Sequence, residues 1–127
     1  NQEFYYANIR KYIIYKLRDI GFNIQKITSD QYQSLEFHQS LKDNNFQTEL
    51  LSVDRDLNPY LQLKEMIASE RLVYPSHPIF LKELKELELI KGRKVDHPHN
   101  GSKDAADATC AAVTTCAADT SQDLVIL

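Results

Sequence analysis

Apolar residues recur at helical spacing over Phe4–Ile20, where Ile9, Ile13, Leu17 and Ile20 share a face and Arg10, Lys16 and Arg18 fall mainly on others. This spacing predicts a first helix, with Gly21 placed to terminate it. Phe22–Thr28 then alternates, with Phe22, Ile24 and Lys26 on one side and Asn23, Gln25 and Ile27 on the other, which predicts a short strand. A second helix is expected from Gln31 to about Asn44, with Asp30 as N-cap and Gln33 closing a capping box. It should bury Tyr32, Leu35 and Leu41 and stop at Asn44-Asn45. Gln47–Val53 reads as the next strand, and Asp54–Asn58 as a polar connection. Asn58-Pro59, an N-cap followed by proline at the first helical position, opens a helix that faces Tyr60, Leu63 and Ile67 inward. Arg71–Tyr74 is β-like. Pro78 to about Leu89 is a helix with Phe80, Leu84 and Leu87 inward and Lys82, Glu83, Lys85 and Glu86 outward.

The last part of the pattern is the densest. Lys94-Val95-Asp96 reads as a strand end, and Pro98 and Gly101 force a turn. Ser102 offers an N-cap to a helix over Lys103–Ala118, whose stripe of Ala105, Ala108, Ala112 and Cys116 suits close packing on a sheet. From Asp119 the tail is acidic and then apolar, and both an extra strand and a frayed end stay open. Helices alternating with short strands predict one α/β domain over residues 1–127 with a small, mainly parallel sheet.

Composition narrows the class. With 43% apolar and 26% charged residues the chain has an ordinary soluble globular mixture. No apolar run reaches membrane-spanning length and no stretch reads as a signal peptide, so no membrane partner and a cytosolic location are the expectations. Cys110 and Cys116 lie six residues apart on one helix, about 9 Å along its axis, too far for a disulfide. The net charge of −3 lacks the positive balance usual for nucleic-acid binding. Lys91, Arg93, Lys94 and Lys103 are nevertheless grouped near the acidic turn, and they read either as a solvated turn or as a phosphate-contacting rim.

Three acids carry the candidate chemistry. Asp30 sits at a strand end, and Asp104 and Asp107 occupy one side of the first turn of the last helix. Hard cations such as Mg²⁺ or Mn²⁺ take oxygen ligands, and two such ions about 4 Å apart suit phosphodiester hydrolysis. By spacing alone, Asp30 reads equally as an N-cap, and Asp104 and Asp107 as partners of the helix dipole. His97 and His99 read as turn histidines or as a partial zinc pair. With three glycines in all, no phosphate-binding glycine loop is discernible, nor is a serine or cysteine nucleophile with its base.

The segment KVDHPHNGSKDAADATCAAV, Lys94–Val113, resembles the end of the nuclease domain of the large terminase subunit of tailed bacteriophages. Ile27–Ser34 is similar to that family's strand-end motif of aspartate, aromatic and serine, and Ser52-Val53-Asp54 to the end of its next strand. Pro59-Tyr60, Glu70-Arg71-Leu72 and Leu81–Leu89 follow in matching order, so the resemblance extends over roughly Tyr5–Ala118. It implies a ribonuclease H-like mixed sheet flanked by helices, and an endonuclease that cuts concatemeric double-stranded DNA with two Mg²⁺ or Mn²⁺ ions. Asp30 matches the family's second catalytic aspartate, Asp104 the last, and Asp107 a nearby acid in the metal site. The first catalytic aspartate lies on an opening strand hairpin that finds no match in this sequence. The resemblance therefore implies the C-terminal part of a nuclease domain, inactive by itself and prone to self-association. Partners would be the terminase ATPase domain, small subunit and portal, in the cytoplasm of an infected or lysogenic host. The competing expectation is a non-catalytic remnant that docks DNA or protein.

Overall fold

The structure is a computed structural model that describes residues 6–31, 35–119 and 125–126. It is mixed α/β, and its contacts divide the chain into two compact units, Asn1–Leu51 and Ser52–Leu127.

In the first unit, α1 spans Tyr6–Lys11 and continues as a π-helical segment, Tyr12–Leu17. The expected start at Phe4 lies outside the described residues. Gly21 closes this helix: its N–H bonds to the Arg18 carbonyl, and that of Phe22 to the Leu17 carbonyl, the paired bonds of a Schellman motif. The expected strand is shorter than its alternation suggested. β1 is only Ile27–Ser29, and Phe22 is exposed. β1 pairs in parallel with β2, Thr48–Leu50, likewise shorter than the expected Gln47–Val53. Parallel neighbours need a crossover, and α2, Leu35–Asp43, supplies it. Its buried face is Phe37, His38 and Leu41 at helical spacing, whereas Leu35, expected inside, is 85% exposed. Leu35 lies two residues before Phe37, about 200° around the helix, and so faces away. Tyr32 and Gln33 lie outside the described residues. Asn45 (φ 66°) ends α2 through a second Schellman pair, Asn45 N–H to Lys42 and Phe46 N–H to Leu41. Leu41 and Phe46 then join Ile14 and Phe37 in the core of this unit.

In the second unit, α3 spans Asn58–Ala68. Its N-cap is Leu57 rather than Asn58, and the Asn58 N–H donates to Asp56 Oδ1 at 2.7 Å. Tyr60, Leu63 and Met66 are buried, while Ile67 is only partly so. α4, Pro78–Glu86, is capped by His77, whose Nδ1 accepts the Phe80 N–H at 3.2 Å. It ends earlier than expected because Leu87 is extended and starts a hairpin, β4 Glu88–Ile90 with β5 Lys94–Asp96. The turn between them has positive φ at Lys91 (51°) and Gly92 (66°), the sign pattern of a type I′ hairpin turn. β3, Leu72–Val73, pairs in parallel with β6, Val125–Ile126, so part of the tail is a strand. Among the described residues the strands form three two-stranded ladders, two parallel and one antiparallel, rather than the single small, mainly parallel sheet expected.

α5, Asp104–Asp119, packs on α3 and α4. Its buried stripe is Ala106, Cys110 and Val113; of the expected Ala105, Ala108, Ala112 and Cys116, Cys116 packs partly buried against the core and Ala108 is exposed. The core that receives it contains Val53, Tyr60, Leu63, Met66 and Leu72. No described helix is long and apolar enough to cross a membrane.

Candidate functional site

The start of α5 is fixed from outside the helix. Gly101 first closes a turn, its N–H bonding to the Pro98 carbonyl at 2.7 Å. A Cβ at Gly101 would fall 2.9 Å from Pro98 Cδ, so a side chain there would force the turn apart. The expected cap, Ser102, lies one position too early, since the Lys103 carbonyl accepts the first intrahelical bond, from Asp107 N–H at 2.7 Å. Ser102 Oγ stands 3.4 Å from Asp104 N and donates to Glu83 Oε1 at 3.0 Å. The other oxygen of Glu83 accepts the Ala106 N–H at 2.8 Å. Glu83 is 4% exposed, against the expectation that it faces outward. A helix N-terminus leaves several N–H groups without partners and carries a partial positive charge. The carboxylate from α4 meets both needs, and this explains its burial.

Lys103 is the second support. Its side chain is 8% exposed, so it does not stand on an exposed rim with Lys91, Arg93 and Lys94. The ammonium donates to Asp54 Oδ1 at 2.7 Å and to both oxygens of Asp107, at 2.9 and 2.7 Å. The Tyr60 hydroxyl also donates to Asp107 Oδ1. Burial by itself would push the Lys103 pKa down, but the hydrogen bonds to Asp107 and Asp54 outweigh it and hold the ammonium above the ordinary lysine range. Burial, then the bond to Asp107, drives the Tyr60 phenol far up. Burial, assisted by the Asp107 charge, pushes the Cys110 thiol up to about 12.

The two acids of the first turn therefore differ. Asp107 is committed to Lys103 and Tyr60. Asp104 is exposed at the first helical position, with Ser102 Oγ 3.4 Å from its Oδ2.

Asp30 belongs to the first unit, where it is exposed immediately after β1. The residue before it is tethered: Ser29 Oγ and His38 Nε2 of α2 are 2.5 Å apart. His38 is buried, and its ring makes an edge contact with Phe37. Neither Ser29 nor His38 stood out in the sequence, because nine residues separate them and only the crossover brings them together.

Lys91, Arg93 and Lys94 surround the exposed hairpin turn. Lys94 Nζ lies 3.4 Å from Asp96 Oδ2. Asp96 also accepts the His97 N–H at 2.9 Å, and that bond, followed by the Lys94 contact, holds its carboxyl below the usual range. His97 Nδ1 is 2.8 Å from the Pro98 carbonyl, a local turn contact, and His99 is exposed.

Among the described residues no three His, Cys, Asp or Glu side chains gather closely enough to hold a metal ion. Asp54 and Asp107 come together, but a lysine ammonium contacts both. Asp54, Tyr60 and Glu83 were missed as site residues. Only the Lys103–Asp107 contact has a local signal, the four-residue spacing on a helix. The Lys103–Asp54 contact joins residues 49 apart, and Glu83 sits in a charged run that reads as solvated. No protein-family model, curated protein or solved structure matches the chain.

Proposed function

We propose that the chain is part of a metal-dependent DNA endonuclease that cuts concatemeric DNA during phage genome packaging, with a ribonuclease H-like arrangement of its strands. The observation that carries this reading is the state of Asp104 within the motif Ser102-Lys103-Asp104. It is an exposed carboxylate on a turn held on two sides, by Glu83 and by Lys103. A ligand for a reacting ion must be reachable and stand on a fixed backbone, and the exposure of Asp104 on this held turn supports that role. Asp30, exposed at the end of β1 and following the tethered Ser29, has the same character in the first unit.

In this reading Asp30 and Asp104 are each ligands for Mg²⁺ or Mn²⁺, and the family's opening strand contributes a further aspartate. The ions, when bound, would activate water and neutralise the leaving oxygen. Lys91, Arg93 and Lys94 on the hairpin contact phosphates without reading sequence. The ATPase domain, small subunit and portal of a packaging motor are the partners, in the host cytoplasm.

A second reading, a non-catalytic docking piece, is favoured by one observation: Asp107 and Asp54 are already paired with Lys103. A plasmid-nicking assay separates the two. In a protein that also supplies an opening strand ending in aspartate, Mn²⁺ should support sequence-tolerant nicking, and Asp30→Asn or Asp104→Asn should each abolish it with the fold retained. Nicking that survives Asp104→Asn removes this assignment of the site, and no nicking under any metal favours the docking piece.

A further inference from the structure

Asp107 matches an acid of the family's metal site, yet its surroundings do not fit a divalent ion. Both its oxygens face the Lys103 ammonium, at 2.9 and 2.7 Å, and Oδ1 also accepts from Tyr60. Asp54 Oδ1 contacts the same ammonium at 2.7 Å. An ion at that point would meet a positive charge at contact distance, on a side chain that is nine-tenths buried.

We infer that Lys103 is a built-in counter-cation, its ammonium holding the place between Asp54 and Asp107 that a divalent ion would otherwise take. Three features point the same way. Two carboxylate oxygens each 2.7 Å from one nitrogen lie no farther apart than twice that distance, close enough to repel strongly if the nitrogen were gone. The ammonium's contacts are only slightly longer than Ca²⁺–oxygen distances of about 2.3–2.6 Å, so a hard ion fits the gap with small adjustment. Both acids keep some exposure, with side chains 37% and 30% accessible, which leaves the ion a way in. The lysine thus pins the segment after β2 to the first turn of α5 without metal, and Asp107 is a positioning residue, not a ligand.

The test uses thermal melting against Ca²⁺ concentration, with Asp104→Asn as the background. That background removes the proposed nuclease ligand, so this inference and the nuclease reading fail separately. With Lys103 present, the melting temperature should be flat from EDTA to millimolar Ca²⁺. Lys103→Met should melt lower in EDTA, and its melting temperature should climb with the logarithm of Ca²⁺ concentration. The triple variant Lys103→Met, Asp54→Asn, Asp107→Asn should recover part of the lost stability and be flat again. If Lys103→Met does not fold in EDTA, folding of the triple variant supports the counter-cation role and its failure overturns it. A Lys103→Met protein as stable as its parent, or as indifferent to Ca²⁺ as the triple variant, overturns it as well, as does a parent whose melting temperature rises equally with Ca²⁺.

Discussion

Replacing Glu83 tests the packing of the site most sharply, because Glu83 and Glu86 read alike in the sequence and differ completely in the structure. Glu86 is partly exposed, with Lys82 Nζ 4.0 Å away. Glu83 is buried and satisfies the Ser102 hydroxyl and the Ala106 N–H. Glu83→Ala removes the acceptor of the buried Ala106 N–H and leaves the Ser102 hydroxyl only its 3.4 Å contact with Asp104 Oδ2. Hydrogen bonds to a charged group contribute about 1.5–3 kcal/mol each, and a partly buried charge at a helix terminus up to about 2 kcal/mol. These terms overlap, and relief of carboxylate desolvation offsets part of them. A net loss of roughly 2–4 kcal/mol is expected, with a drop in melting temperature of at least about 6 °C. Glu83→Gln keeps one acceptor oxygen but turns an amide toward the other donor, so an intermediate loss is expected. Glu86→Ala should stay within about 0.5 kcal/mol. Circular dichroism melting ranks the three, and amide exchange at Ala106 should accelerate in the Glu83 variants only. If Glu83→Ala and Glu86→Ala melt together, the carboxylate does not cap α5 and the account of Asp104's orientation fails.

Three further outcomes follow from local geometry. Glu70 closes α3 with φ 57° and paired bonds, Glu70 N–H to Ile67 and Arg71 N–H to Met66, so Glu70→Gly should stabilise the fold by about 1 kcal/mol in urea titration, since a side chain is disfavoured there; a loss would show that Glu70 makes a needed contact. Cys110, with its thiol pushed up to about 12, should resist a thiol reagent at pH 8 until the fold opens, and a fast reaction would contradict its burial. The pH limbs should be separable. Lys103 has a raised pKa, so its contribution is complete below the ordinary value of 10.5 and is lost as pH rises through the higher folded value. Asp96 has a lowered pKa, so its contribution is present above the ordinary 3.8 and is lost as pH falls through the folded value. Lys103→Met should flatten the alkaline limb of the stability curve and Asp96→Asn the acid limb; unchanged limbs would refute the assignments.

The helices were legible where the sequence punctuates them. Pro59, Pro78 and Gly21 mark ends of α3, α4 and the first helix within a residue or two. Leu41, Tyr60, Leu63 and Phe80 were rightly placed inside by periodicity. β4 was missed because Leu87 and Leu89-Ile90 prolong the apolar pattern of α4, while Lys91-Gly92, a turn signal, reads as part of a charge cluster. β1 came out short because its ladder with β2 covers Ile27–Ser29, and where pairing begins is a tertiary fact that alternation does not reveal. The face of α5 was misjudged because its alanines make nearly every face apolar; Glu83 and Cys110, which mark the buried side, are set by the neighbours. At the site, Asp104's place at a helix start was readable from Ser102-Lys103-Asp104. The burial of Lys103 was not, since it depends on Asp54 from 49 residues away.

The proposed nuclease rests first on Asp104 being a ligand for Mg²⁺ or Mn²⁺. Its most direct test is a titration of the isotopically labelled chain with substoichiometric Mn²⁺, following paramagnetic broadening of amide resonances. The amide of Ala105 should broaden, and Asp104→Asn should weaken binding there by about tenfold or more, a change of about 1.4 kcal/mol; the amide of Gln31 should answer to Asp30→Asn in the same way. No broadening at Ala105, or broadening there unchanged in Asp104→Asn, would contradict it.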